Sequence, residues 1–145
     1  MDATPPTPAT PGGVMVLVVE DDPTLGGLLI HALATCGVQG DLAGSGETAL
    51  AMAAGHPYAA VLIDQMLPGM DGLELCRRLR RGGLEVPAVI MSARDDLAGA
   101  VGPAGADGYL IKPFPLDLLL STLRALPATS RRVRRRWGDA TPVTG

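Results

Sequence analysis

Four short runs of aliphatic residues, each closed by polar side chains, constrain the fold of this chain most. Val14–Val19 leads into Glu20, Asp21 and Asp22; residues 58–63 lead into Asp64, 88–91 into Ser92, and 109–111 into Lys112. Apolar runs without alternation are the mark of strands covered on both faces, and so of a parallel sheet. Helical spacing fills the gaps. After Pro23, Leu25, Leu28, Leu29, Leu33 and Cys36 fall on one inward face that Gly37 stops. A poorer strand over Val38–Ala43 and a short helix over 47–54 follow. Gly72–Arg81 reads as a helix with Leu73, Cys76 and Leu79 inward and Arg77, Arg78, Arg80 and Arg81 as its solvated face. Leu116, Leu119, Leu120 and Leu123 mark a last helix, stopped before Pro127. Five strand–helix alternations predict an α/β domain with helices on both faces of a parallel sheet.

Ligands of such sheets bind beyond the carboxyl ends of the strands, which is where the polar residues stand. Three acids at two strand ends, with no basic neighbour in sequence, repel one another. Two like charges about 4 Å apart cost roughly 4 kcal/mol at an effective dielectric near 20. Mg²⁺ offsets that cost naturally, because it takes one or two carboxylates, keeps waters and accepts phosphate oxygens. Asp64 stands alone at its strand end, placed as a nucleophile, and carboxylates attack phosphoryl groups to form acyl phosphates. The Lys112 ammonium and the Ser92 hydroxyl complete a set of contacts to phosphoryl oxygens, and transfer of this kind needs little beyond positioning and charge neutralisation.

The motifs "LVVEDD", "LIDQMLPGMDG", "IMSAR" and "GADGYLIKPF" together resemble the receiver domain of two-component response regulators, over most of the globular part. The resemblance implies a flavodoxin-like, doubly wound five-stranded sheet of order 2-1-3-4-5. It implies Asp64 as phosphoacceptor. Asp21 would bind Mg²⁺ directly, Glu20 mostly through water, and the Met66 backbone carbonyl would be a further ligand. Ser92 matches the switch hydroxyl and Tyr109 the switch aromatic. Lys112 matches the family's lysine, followed by a cis Lys112–Pro113 bond. The donor would be a sensor histidine kinase or phosphotransfer protein, and phosphorylation would switch the surface that this chain offers to an output partner. Asp22, one position past the acid pair, reads as a helix cap. His31 and His56 lack partners at a useful spacing and are assigned no role.

The chain departs from the family between Ser92 and Lys112, where it is short. The fourth helix falls in "RDDLAGAVGPAGADG", whose residues 95–105 hold three glycines and a proline. Their summed helix penalty is roughly 5–6 kcal/mol, against about 1.5–3 kcal/mol for burying each of Leu97 and Val101. A short or irregular fourth helix ending before Pro103 is expected, and with it a monomer or weak dimer.

Two other readings compete with the receiver. A Mg²⁺-dependent phosphatase with an aspartyl nucleophile typically carries a second acid two residues after it, where this chain has Met66. A flavin or nucleotide binder on the same fold would meet three acids that repel phosphate, and the chain has no P-loop motif.

Composition sets the remaining bounds. Hydrophobic residues are 47% and aromatics 3%, so the core must be aliphatic. A formal charge of −3 gives no bias toward nucleic acid or an anionic membrane. Cys36 and Cys76 lack metal-ligand spacing and fit reduced thiols in the cytoplasm. No apolar run is long enough to span a bilayer, and the first residues lack the pattern of a signal peptide. The expected organisation is a disordered tail over 1–13, one domain over 14–127, and a basic, polar tail or linker stub over 128–145. Nucleic-acid contact through the arginines of 131–136, or a receiver fragment of a longer DNA-binding regulator, stays as an alternative.

Overall fold

The computed structural model describes residues 14–125; the expected tails, 1–13 and 128–145, and the two residues before the second lie outside them. The chain alternates β1 (Val14–Val19), α1 (Pro23–Ala34), β2 (Val38–Ala43), α2 (Gly46–Gly55), β3 (Ala60–Asp64) and α3 (Gly72–Arg81). Then come β4 (Ala88–Ser92), α4 (Ala98–Val101), β5 (Gly108–Ile111) and α5 (Leu116–Ala125). All strand pairs are parallel, and the sheet order is β2-β1-β3-β4-β5, the expected flavodoxin-like arrangement.

Alternate strand residues supply two cores. Val16, Val18, Leu62, Val89 and Met91 pack with Leu29 and Leu33 of α1 and Leu119 and Leu123 of α5. Leu17, Val19, Val61, Ile63 and Ile90 pack on the other face with Leu75, Cys76 and Leu79 of α3. Every residue of β3 and β4 is buried, as their unbroken apolar runs require. The strand ends that carry the polar residues are thus clamped from both sides.

Helix starts follow local chemistry. Asp22 caps α1 by accepting the Thr24 N–H, Ser45 caps α2 and Asp71 caps α3, each satisfying a free N–H of the first turn. The one-turn α4 has no side-chain cap and no buried residue of its own, in keeping with Gly99 inside it and Gly102 at its end.

Three expected placements are corrected. The buried stripe of α1 is Gly26, Leu29 and Leu33, narrower than the spacing suggests, and Leu28 is 61% exposed. Cys36 lies beyond the last turn of α1 and is exposed. Arg80, expected on the solvated face of α3, is drawn under the helix end by carbonyl acceptors and a carboxylate and is half-buried.

Candidate functional site

Because β1, β3, β4 and β5 run parallel, their carboxyl ends share one edge of the sheet. β1 and β3 are neighbours, so Glu20 and Asp21 come to lie beside Asp64. One carboxylate oxygen from each of Glu20, Asp21 and Asp64 falls within 4.8 Å of the others. Glu20 and Asp64 are buried, while Asp21 is exposed. Lys112, arriving at the end of β5, sets its Nζ 3.2 Å from Glu20 Oε1 and 3.2 Å from Asp64 Oδ1.

Three carboxylates facing one ammonium leave net negative charge in a half-closed corner. Burial, followed by the hydrogen bond and repulsion from Asp64, pushes the Glu20 carboxyl up to about 7. For Lys112, burial pulls the pKa down, but attraction to Asp64 and Glu20 outweighs it and the pKa is raised. The corner therefore holds a proton on Glu20 near neutral pH, or takes a cation in its place. A set of hard oxygen donors with excess negative charge fits Mg²⁺.

The loop after β3 is built to hold Asp64. Met66 donates its backbone N–H to Asp64 Oδ1 at 3.3 Å, and its side chain is 70% exposed. Gln65 accepts the Leu73 N–H on its side-chain oxygen at 2.9 Å and donates its own N–H to Met91 O at 2.8 Å. Gly72 lets α3 begin against this strand end. A Cβ there would stand 2.6 Å from the Asp64 carbonyl oxygen and 2.9 Å from Gln65 Cα, so another residue would displace the Asp64 backbone. Sequence reasoning assigned neither Gln65 nor Gly72 a role. The available signal was a glycine directly after the Asp71 cap, where a Cβ is ordinarily tolerated.

The other candidates occupy the β4–β5 side. Ser92 is buried and its Oγ accepts the Arg94 N–H at 3.0 Å. The Tyr109 hydroxyl donates to the Arg94 carbonyl. Both candidate switch side chains thus hold the same peptide segment, from opposite ends of residue 94. The Lys112–Pro113 bond is cis, as the resemblance implies. Asp22 serves α1 as a cap, as expected.

Residues 16–124 match the family described as the response regulator receiver domain. The chain belongs to that family. It is 48% identical over 118 residues to the transcriptional regulatory protein TcrA of Mycobacterium tuberculosis, covering 79% of this chain and 46% of TcrA. It is 43% identical over 115 residues to the response regulator MprA of Mycobacterium sp. strain KMS, covering 78% of this chain and 50% of MprA. The chain thus spans about half the length of these relatives.

Among solved receivers, TrrA from Thermotoga maritima, in complex with Mg²⁺-BeF, superposes with a TM-score of 0.73 at 29% identity. That match covers 79% of this chain and 99% of TrrA. The chemotaxis protein CheY4 of Vibrio cholerae gives 0.75 at 26% identity, with the same coverage. Among the described residues of this receiver, no helix is long and apolar enough to cross a membrane.

Proposed function

We propose that residues 14–127 form a cytoplasmic receiver that accepts a phosphoryl group on Asp64 from the phosphohistidine of a sensor histidine kinase or phosphotransfer protein. The observation that carries this is the corner itself: Asp64 buried beside Glu20 and Asp21, with Lys112 Nζ 3.2 Å from its Oδ1. In the transfer, an Asp64 carboxylate oxygen attacks phosphorus. The P–O bond forms as the P–N bond breaks, and the electron pair leaves on the imidazole nitrogen.

The Glu20, Asp21 and Asp64 carboxylates, with the Met66 backbone carbonyl, would hold Mg²⁺, which supplies charge neutralisation at the phosphoryl oxygens. Lys112 offsets a further oxygen charge from where it already stands. Ser92 turns to donate its hydroxyl proton to a phosphoryl oxygen in a charge-assisted bond, and the turn carries its Oγ away from the Arg94 N–H that it accepts in this structure. That movement frees the Arg94 segment, which alters the surface offered to an output partner. The exposed apolar Met66 side chain occupies the place of the phosphatase's second acid, which supports a phosphoacceptor over an enzyme that turns over phosphoesters.

Acetyl phosphate with Mg²⁺ tests the assignment. The intact mass should rise by one phosphoryl group that base removes, and Asp64→Asn should gain none. A phosphorylated Asp64→Asn chain would overturn it.

A further inference from the structure

The connection from β4 to β5, residues 93–107, buries two side chains, Leu97 and Ala104. Its two ends are held by different means. At the first, Arg94 donates its backbone N–H to Ser92 Oγ and accepts the Tyr109 hydroxyl on its carbonyl, while its guanidinium pairs with Asp96 in the open, the side chains 56% and 63% exposed. Exposed pairs of this kind add little to stability.

The last end is tied by Arg80, reaching across from α3. Its Nε donates to Gly105 O at 2.9 Å, and its Nη1 to Leu84 O at 2.9 Å and Val86 O at 2.6 Å. Its Nη2 donates to Asp107 Oδ2 at 2.9 Å. Asp107 in turn holds the first residue of β4 on both sides. Its carboxylate accepts the Ala88 N–H at 3.0 Å, and its own N–H donates to Ala88 O at 2.8 Å. The Arg80–Asp107 pair is about one-fifth exposed, so water screens it far less than the Arg94 pair. Gly105 has φ +97°, and a Cβ there would stand 2.8 Å from Arg80 Cγ. Backbone conformation and space both keep that position free of a side chain.

We infer that Arg80, Asp107 and Gly105 form a fixed anchor at which the rearranging part of the receiver ends. Residues 94–104 change arrangement as one unit, and the anchor stops the change from reaching the start of β4 and β5. The trigger of that change rests on the phosphoacceptor reading above; the anchor itself does not. Arg80 places four N–H bonds in a planar fork, which the three donors of a lysine ammonium cannot reproduce.

Amide hydrogen exchange on the unphosphorylated chain tests the anchor. The Asp107 and Ala88 amides should exchange at least about tenfold more slowly than those of Ala100 and Ala104. Arg80→Lys, which keeps the charge, should erase that difference and leave Leu17 and Val18 of β1 as protected as before. Asp107→Asn should accelerate the same amides as Arg80→Lys, and to a smaller degree. An Asp107 amide as fast as Ala100, or an Arg80→Lys change spread evenly over β1, would overturn the anchor. With Mg²⁺ and beryllofluoride, the Ala100 and Ala104 amides should change their exchange while those of Asp107 and Ala88 keep theirs, and an altered Asp107 or Ala88 amide would overturn it too. A complete lack of response to beryllofluoride would count against the phosphoacceptor reading instead, while the basal comparison still decides the anchor.

Discussion

The acid corner and the β4–β5 connection lie at neighbouring strand ends, yet they are built on opposite principles. The corner is placed by strands buried on both faces, so Glu20 and Asp64 stand in low exposure with fixed neighbours despite their mutual repulsion. The connection carries a helix of four residues with no buried side chain and no cap. Positioned charge needs a rigid support; a segment with two arrangements needs a small energy difference between them. The same fold sets a rigid apolar support beneath the corner beside a thinly packed connection whose residues 95–105 hold three glycines and a proline.

The largest expected effect sets these regions apart directly. Ile63 is fully buried and immediately precedes Asp64, so Ile63→Ala should cost about 2–5 kcal/mol. Leu97→Ala should cost about 2 kcal/mol, the low end of the same range, because the thinly packed segment around it relaxes into the cavity. Urea unfolding of the two variants measures both. Equal losses would show that the connection is as tightly packed as the strands.

Next comes the metal. At 100 times its dissociation constant, Mg²⁺ should stabilise the fold by about 2.7 kcal/mol. Asp21→Asn should remove most of that gain and raise the melting temperature of the Mg²⁺-free protein, since it relieves repulsion among the acids of the corner. A lowered melting point in the Mg²⁺-free variant would contradict the repulsion account.

What the sequence made legible follows the same division. Runs such as "AVLID" and "AVIMS" place their closing residues at the sheet edge by period and length alone, so Asp64 and Ser92 were readable. The single turn of α4 was readable too, because glycine and proline penalties act locally. Arg80 was not, because its acceptors at Leu84, Val86, Gly105 and Asp107 lie 4 to 27 positions away and meet it through packing. On a helix with Arg77, Arg78 and Arg81 beside it, periodicity marks it as one more exposed cation. Leu28 failed for the complementary reason: helical spacing gives the face but not the width of the contact. Gly72 escaped notice because the clash it avoids is with the neighbouring strand end, not with its own helix.

A pH series separates the regions with a smaller signal. The Glu20 carboxyl, at about 7 in the fold against 4.5 ordinarily, keeps a proton that the unfolded chain releases. Its stabilising contribution is full below 4.5 and is lost as pH rises through 7, so the Mg²⁺-free fold should weaken over that window. Mg²⁺ must displace the same proton, so its apparent affinity should fall by up to about tenfold per pH unit below 7. Glu20→Gln should flatten the stability trend, measured by thermal melts at fixed ionic strength. An unchanged slope would move the shifted titration to another group. Exchange at Ala100 should be insensitive to this titration, after correction for the intrinsic pH dependence of exchange.

The smallest effect lies in α4 itself. Gly99 sits inside its turn, and a Cβ added there would meet nothing within 4 Å. Gly99→Ala therefore adds no clash, removes backbone freedom from the unfolded chain, and should stabilise the domain by about 0.4–1 kcal/mol. The gain should appear locally as slower exchange of the Ala100 amide, which donates to Leu97 O at 2.8 Å. If the connection works by having two arrangements of similar energy, favouring one should also lessen the response of residues 94–104 to beryllofluoride. Mg²⁺ affinity and phosphoryl uptake at Asp64 should stay as they were, since nothing in the corner has moved. A variant that gains stability and responds in full would show that Gly99 is tolerated rather than used.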